Sequence, residues 1–573
     1  MQTPTLAAAL GLLLAFQVAA GSSQDPASPH SAAPVPSTLV PGPKQVATGK
    51  QVMVATQLPI VTEAALRVLR EGGNAADAAI TATFLQHVND YHQVSVFGAM
   101  SGLYYEAATN RYYAFNAFSE RPDGSRTGKG DASRVAIGGT VRGLEALAKR
   151  FGTRSWSSYI DPAIKSAEEG VLVTSFMYGN NYNLFESSEF QQHREAREFY
   201  MPDGHLVAAG HRWKMPELAS TLRGIAAGGA DYLYTGAWGR KFVAEAERRG
   251  GRITLEDMAA YQVRWLEPLR FTYRGHEIVA EPPPNSGGML VGYNLNLLEN
   301  FDLAAMGHYS KSPRALEVMA RTFGRVEDEL RWTIQDPLSF QVPTSIWLSR
   351  EYGRVGADIV KLTMRQPGVT LAPASSTSTI AELSGDPVPG MPAGQVPGIG
   401  SNHNVIADAH GNWITFLHTG HGGAPGVFID GIRATGSGVT SQSTGPGRRI
   451  IAAVTGLFVA KDGRPWLSLG TPGYPPQPLT EVLVNLLDFR MDPRTAADAP
   501  RFWSFRGRER IVEIESRIAP EVRLGMKAAG ITIKELGDYN WHTGSMQIVW
   551  RDAATGELSG VSDPRRLGLA AGF

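Results

Sequence analysis

Apolar residues fall at helical spacing from Ala64 to Leu69 and stop at Gly72-Gly73. Asn74, whose side chain can accept from the free N–H groups of a first helical turn, then opens a second helical pattern over Ala75 to Leu85. Leu103-Tyr104-Tyr105 and Tyr112 to Phe115 flank the polar turn Thr109-Asn110-Arg111, which predicts a hairpin with paired strand aromatics. From about Gly143 to Tyr261 the pattern is mostly helical, clearest over Leu144 to Lys149, Ser157 to Gly170 and Gly239 to Gly250. A turn-rich break at Pro282 to Gly288 precedes a helix predicted over Met289 to Leu298, and Pro387 to Gly400 is dense in Pro and Gly, as an exposed loop would be. After Gly400 the texture changes to hairpins: His403–Asp408 with Trp413–His418, Leu457–Ala460 with Trp466–Leu469, and Met546–Trp550 with Leu558–Val561, with a helix over Leu479–Leu487 between them. Hairpins in both halves with helices interposed predict an α+β fold of two stacked antiparallel sheets covered by helices. Gly72-Gly73 and Gly287-Gly288 lack the strand and the Lys or Gly spacing of a phosphate loop and read as caps and turns.

The first twenty residues break this pattern. Leu6 to Ala20 is an apolar run too short to span a bilayer comfortably, and Val18-Ala19-Ala20 offers small residues at a cleavage site, although Met1 to Thr5 carries no Lys or Arg. The expectation is a signal peptide over 1–20, a Ser/Pro-rich linker over 21–50 and a folded part from Gln51, in a secreted or periplasmic protein with no membrane insertion after signal removal. Composition supports a large folded domain: 573 residues, 43% hydrophobic and 19% charged. With 54 basic and 54 acidic residues there is no charge excess to suggest nucleic acid as a partner. The absence of cysteine removes disulfides, thiol nucleophiles and cysteine-ligated metals together.

The candidate chemistry sits where the Pro/Gly-dense loop runs into a strand, at Gly398-Ile399-Gly400-Ser401-Asn402-His403. An N-terminal Ser can cleave amides with one residue, because its α-amino group, with a reference pKa of about 7.7–8.0, can take the hydroxyl proton near neutral pH. The oxygen then attacks a carbonyl and forms an acyl-enzyme. An internal Ser has no free amine, so the chain must first be cut, and Gly400 lets the backbone bend near the Ser401 hydroxyl. His418 and His421 lie three apart, with His403 and His410 nearby, but nothing in the pattern forces them to converge and no acidic partner has ligand spacing; no metal is expected.

Several sequence blocks carry a resemblance. They are Glu71 to Ala79 (EGGNAADAA), Gly138 to Gly143 (GGTVRG), Tyr273-Arg274-Gly275, Pro282 to Gly288, Leu297 to Asp302, Pro446 to Arg449, Gly470 to Gly473, Ala499 to Phe502 and Ser562 to Arg565. In this order they resemble the γ-glutamyltranspeptidase (glutathione hydrolase) family of N-terminal-nucleophile hydrolases, over nearly all of Gln51 to Phe573. The resemblance implies the αββα four-layer sandwich and self-cleavage into a large subunit (51–400) and a small subunit (401–573) that stay associated as a heterodimer. It implies no cofactor and a small-molecule amide substrate. The family nucleophile is a Thr in a Thr-Thr-His segment; Ser401-Asn402-His403 match it, so Ser401 is the implied nucleophile, after the processing site Gly400–Ser401. Thr419 falls on the second Thr beside the nucleophile, and Gly473-Tyr474 on the Gly-Gly pair whose N–H groups form the oxyanion hole. Asp563-Pro564-Arg565 is expected to form an internal ion pair.

The family's γ-glutamyl pocket matches poorly. Its carboxylate-gripping Arg aligns with Phe118, or with Ser119 when the register is anchored on Glu120; Arg121 lies close by. Its paired Ser residues are Ala452-Ala453 here, His421 stands in place of an Asn, and Asp430 is the nearest counterpart of the amine-binding Asp; with Asn402, next to the implied nucleophile, these positions are the expected substrate-binding residues. Losing an Arg and two hydroxyls removes the partners of a buried carboxylate, so a neutral or more apolar acyl group is expected. Two rival readings follow from the same residues: a γ-glutamyl enzyme with a pocket rebuilt from Arg121 and Asp430, and a relative that keeps the fold and binds without catalysing.

Overall fold

The computed structural model describes residues 42–123, 132, 135–185, 193–330, 333–365, 400–420, 425–435, 445–504 and 511–573. The expected signal peptide, most of the linker, the loop from Pro387 to Ile399 and His421 lie outside the described residues. The strands in chain order are β1 Ala47–Gly49, β2 Met53–Thr56, β3 Ala99–Glu106, β4 Arg111–Ala117, β5 Val171–Leu172, β6 Arg212–Trp213, β7 Arg264–Leu266, β8 Leu269–Tyr273, β9 His276–Ala280, β10 Ser401–Ala407 and β11 Trp413–Thr419. They continue as β12 Pro425–Ile429, β13 Ile432–Thr435, β14 Gly456–Lys461, β15 Arg464–Gly470, β16 Phe502–Ser504, β17 Ile511–Ile514, β18 Thr532–Glu535, β19 Gln547–Arg551, β20 Leu558–Ser562 and β21 Leu569–Gly572.

Two seven-stranded antiparallel sheets form the centre, in the orders β21-β2-β10-β11-β3-β4-β7 and β1-β20-β19-β15-β14-β9-β8. Alternation assigns the faces of each strand. On β10 and β11, Val405, Ala407 and Trp413 pack inward with Phe458 and Val549 of the facing sheet, while Ile406, Ile414 and Phe416 pack outward on helices. The outer layer of that sheet includes α1 (Pro59–Arg70), α2 (Ala75–Asn89), α3 (Thr140–Phe151) and α4 (Trp156–Glu169); the other sheet is covered by helices over 287–298, 313–330 and 476–487. This is the αββα sandwich. The Asn74 cap is a full capping box: its side chain accepts from the Ala76 and Asp77 N–H groups and Asp77 returns the bond.

Strand β1 corrects the expected start of the fold. Ala47, Thr48 and Gly49 pair with Gly560, Ser559 and Leu558, so the sheet takes in residues before Gln51. Near the other terminus, Arg565 is fully buried between Glu515 (Nε to Oε1, 2.5 Å) and Asp563 (3.2 Å), and Arg501 also pairs with Asp563. This is the internal ion pair expected from Asp563-Pro564-Arg565, enlarged to two carboxylates and three guanidinium groups, since Arg517 also pairs with Glu515 at 2.8 Å. Arg565→Met is expected to cost about 3 kcal/mol by taking a shared guanidinium away from two buried carboxylates, which then keep only Arg501 and Arg517. A denaturant midpoint equal to that of the parent protein would contradict it.

Candidate active site

Strand β10 starts on Ser401, which pairs directly with Thr419, the last residue of β11. The register then matches His403 with Leu417, Val405 with Thr415 and Ala407 with Trp413. Period two puts Ser401, His403, Thr415, Leu417 and Thr419 on the face between the sheets. Ser401 and Thr419 are both buried. The Thr419 hydroxyl donates to the Gly400 carbonyl oxygen at 2.6 Å, so it polarises the carbonyl of the peptide bond that precedes the candidate nucleophile. Gly400 is required for a reason that sequence did not supply: a Cβ there would lie 2.2 Å from Gln93 Oε1 and 2.8 Å from the Gln93 Cα.

The position of the implied oxyanion turn follows from how the sheets pack. The His403 ring sits on two glycines of the facing sheet, where a Cβ at Gly470 would be 2.1 Å from its Nε2 and one at Gly456 3.1 Å. Gly456 and Gly470 are themselves cross-strand partners. Val405 and Ala407 share a cluster with Phe458, further back along that sheet. Strand β15 therefore runs antiparallel to β10 in projection, and continuing both past His403 and Gly470 brings Ser401 towards the turn Thr471 to Tyr474. Gly473 has φ +84, a left-handed conformation that favours glycine. The Tyr474 ring stacks on Trp503 at 5.5 Å and its hydroxyl bonds Glu327.

An apolar cluster lies beside the hydroxyl pair. Phe118, Ala99, Leu417 and Val454 are buried together with Ala452 against them. Leu417 is two residues before Thr419 on the same strand face, and Ala99 is the β3 partner of Thr419. Ala453 turns to the other side and packs against the helix-covered core of the second sheet. Ser119, the alternative position for the family Arg, is fully buried. Arg121 is buried and its backbone is tied to Arg448 (N to O, 3.1 Å) and Gly447.

Comparisons with known proteins bear on the family and the fold. A profile of the family described as Gamma-glutamyltranspeptidase matches residues 61–573. The chain belongs to the γ-glutamyltranspeptidase family. It is 28% identical over 527 residues to an acylase ACY 1 proenzyme of Pseudomonas sp. (strain V22), covering 85% of this chain and 88% of that one. It is 26% identical over 565 residues to the glutathione hydrolase proenzyme of Escherichia coli (strain K12), covering 91% and 92%. A crystal structure of cephalosporin acylase from Bacillus halodurans shares the fold with TM-score 0.78 and 23% identity, over 95% of this chain and 99% of that one. The protein is accordingly an enzyme of the N-terminal-nucleophile amidohydrolase type.

Within this family frame, two sequence-derived pocket residues lie elsewhere. Asp430 with Gly431 forms the two-residue turn of the β12–β13 hairpin, at φ 49 and 76, and its carboxylate pairs with Lys241 at 2.7 Å. Its carbonyl accepts from Thr221, so the hairpin tip is committed to neighbouring helices rather than to the Ser401 pocket. Asn402 adjoins Ser401 in sequence but faces away from it, towards the α2 side and the Asp90 carboxylate. The physical reason is alternation: neighbours on a strand point to opposite faces. The same rule separates the histidines. His403 faces the second sheet and bonds Thr415 at 2.9 Å, whereas His418 faces α2 and bonds Gln86 at 2.8 Å. Burial pushes His403 down to about 3, so it is neutral at physiological pH. Among the described residues no group of His, Cys, Asp or Glu has a metal-holding arrangement. Sequence reasoning missed Leu417 and Ala99 as apolar neighbours of the hydroxyl pair; the two-residue period back from Thr419 would have found Leu417.

Proposed function

We propose that this enzyme cuts its own chain before Ser401 and then hydrolyses, or transfers, an apolar acyl group through the Ser401 hydroxyl. The observation that carries the reading is the 2.6 Å bond from Thr419 to the Gly400 carbonyl, placed across the strand pair from Ser401. In the processing step the Ser401 Oγ attacks the Gly400 carbonyl carbon, and the charge developing on its oxygen is held by the Thr419 hydroxyl. The peptide C–N bond breaks as the nitrogen takes the proton given up by the Ser401 hydroxyl, which frees the α-amine and leaves an ester; water then cleaves the ester to release the Gly400 carboxylate and restore the hydroxyl. That amine takes the hydroxyl proton for attack on a substrate amide. N–H groups of Gly473 and Tyr474 hold the oxyanion, a donor of this kind contributing about 2.7–4 kcal/mol. The leaving amine departs with a proton, and water, or an acceptor amine, releases the acyl group. The acylase name of one relative and the apolar contacts of Phe118, Leu417 and Ala452 support a non-γ-glutamyl acyl group.

Denaturing electrophoresis with N-terminal sequencing tests the processing step. Two fragments, one beginning Ser401-Asn402-His403, are expected, while an intact chain after long incubation would favour a non-catalytic relative. Thr419→Val keeps the shape and removes the donor, so self-cleavage is expected to slow about 10²-fold. A parental rate of fragment appearance in Thr419→Val would remove Thr419 from the mechanism.

A further inference from the structure

Behind the nucleophile strand, on the side away from the apolar pocket, lies a buried charged cluster that the reaction above does not use. Arg566 reaches β10 from the segment just before β21. Its Nη1 donates to the Ser401 carbonyl oxygen at 3.1 Å, and its Nη2 lies 3.6 Å from Asp90 Oδ2. The guanidinium also lies 5.2 Å from the centre of the Phe176 ring. Asp90, at the end of α2, is 3.3 Å from His92 Nδ1 and has the Asn402 amide beside it. Arg433 of β13 is the second guanidinium in the neighbourhood, buried with its Nε and Nη2 unpartnered. The groups facing Arg566 are therefore one carboxylate, one imidazole, one amide and a second cation.

We propose that Arg566 is a positioning residue for the liberated nucleophile: it grips the Ser401 carbonyl and its fixed charge holds the adjacent α-amine in the free-base form, with Asp90 opposing it. This inference rests on the processing reading above. Its geometry is short-range, because an extended residue keeps its own nitrogen and carbonyl oxygen within about 3 Å of each other. The amine thus forms within roughly 6 Å of a buried guanidinium, and a like charge at that range disfavours protonation. His92 is held well below its ordinary value, first by burial and then by Arg566 and Arg433. Asp90 is pushed up to about 6 by burial, against the pull of Arg566 and Asn402, and its ionised form offsets part of the cation.

The two partners have opposite expected effects, which a merely structural role would not produce. The experiment measures kcat/KM against pH from 5 to 10 on processed enzyme, using the chromogenic N-acyl anilide that the parent enzyme turns over best. Arg566→Gln is expected to move the acid limb up by about one pH unit, Asp90→Asn to move it down, and Arg566→Lys to keep it near the parent position. If processed Arg566→Gln keeps the parent limb, or Asp90→Asn moves it upward or leaves it in place, the proposal is overturned. Should Arg566→Gln fail to fold or process, the Asp90→Asn and Arg566→Lys profiles decide alone. A parent enzyme with no Ser401 N-terminus would overturn the processing reading and this one with it, whereas fragments with unmoved limbs would overturn only this one.

Discussion

Ser401→Ala is expected to remain a single uncut chain with no measurable amide turnover. One oxygen serves both reactions, so its removal abolishes the attack on Gly400 and the attack on substrate together. The expected loss is at least about 10⁴-fold, the scale seen when a covalent nucleophile is deleted. The fold should be undisturbed, since Ala loses only one hydroxyl on a buried strand. Ser401→Thr separates the roles: it restores the family hydroxyl with a methyl that restricts χ1, and is expected to process and to turn over. Appearance of a fragment starting at residue 401 in Ser401→Ala would show that the cut is made by another group or another protein.

The processed enzyme is expected to cleave an apolar N-acyl anilide with kcat/KM about 10²–10³-fold above that for a γ-glutamyl anilide. The γ-glutamyl group brings a carboxylate to a wall made of Phe118, Leu417, Val454 and Ala452. A desolvated carboxylate without charge-assisted partners is costly, and about 3–4 kcal/mol of that penalty in the transition state gives the stated ratio. Side-by-side kinetics on the two anilides measure it. A preference for the γ-glutamyl anilide that Arg121→Ala abolishes would instead establish Arg121 as the carboxylate's partner and overturn the apolar reading.

The sequence by itself determined the local elements. Asn74 and Asp77 specify a helix start because the capping bonds join residues three apart. Thr109-Asn110-Arg111 and His410-Gly411-Asn412 specify hairpins because turn chemistry and alternation act between near neighbours, and β3–β4 and β10–β11 form as expected. The Ser401–Thr419 pairing was legible through the family motif, and the antiparallel register of β10 and β11 gives it a geometric basis. Tertiary structure alone decided the rest. The pairing of β1 with β20 joins chain ends some five hundred residues apart, and no local signal encodes such a partner. It decided that Asn402 faces Asp90 rather than the pocket, that Asp430 is spent on a turn and on Lys241, and that Arg566 reaches the Ser401 carbonyl. These outcomes depend on which face of each strand is buried against which layer. That is fixed by the summed packing of two sheets and their helices, to which any single stretch of sequence contributes only a part.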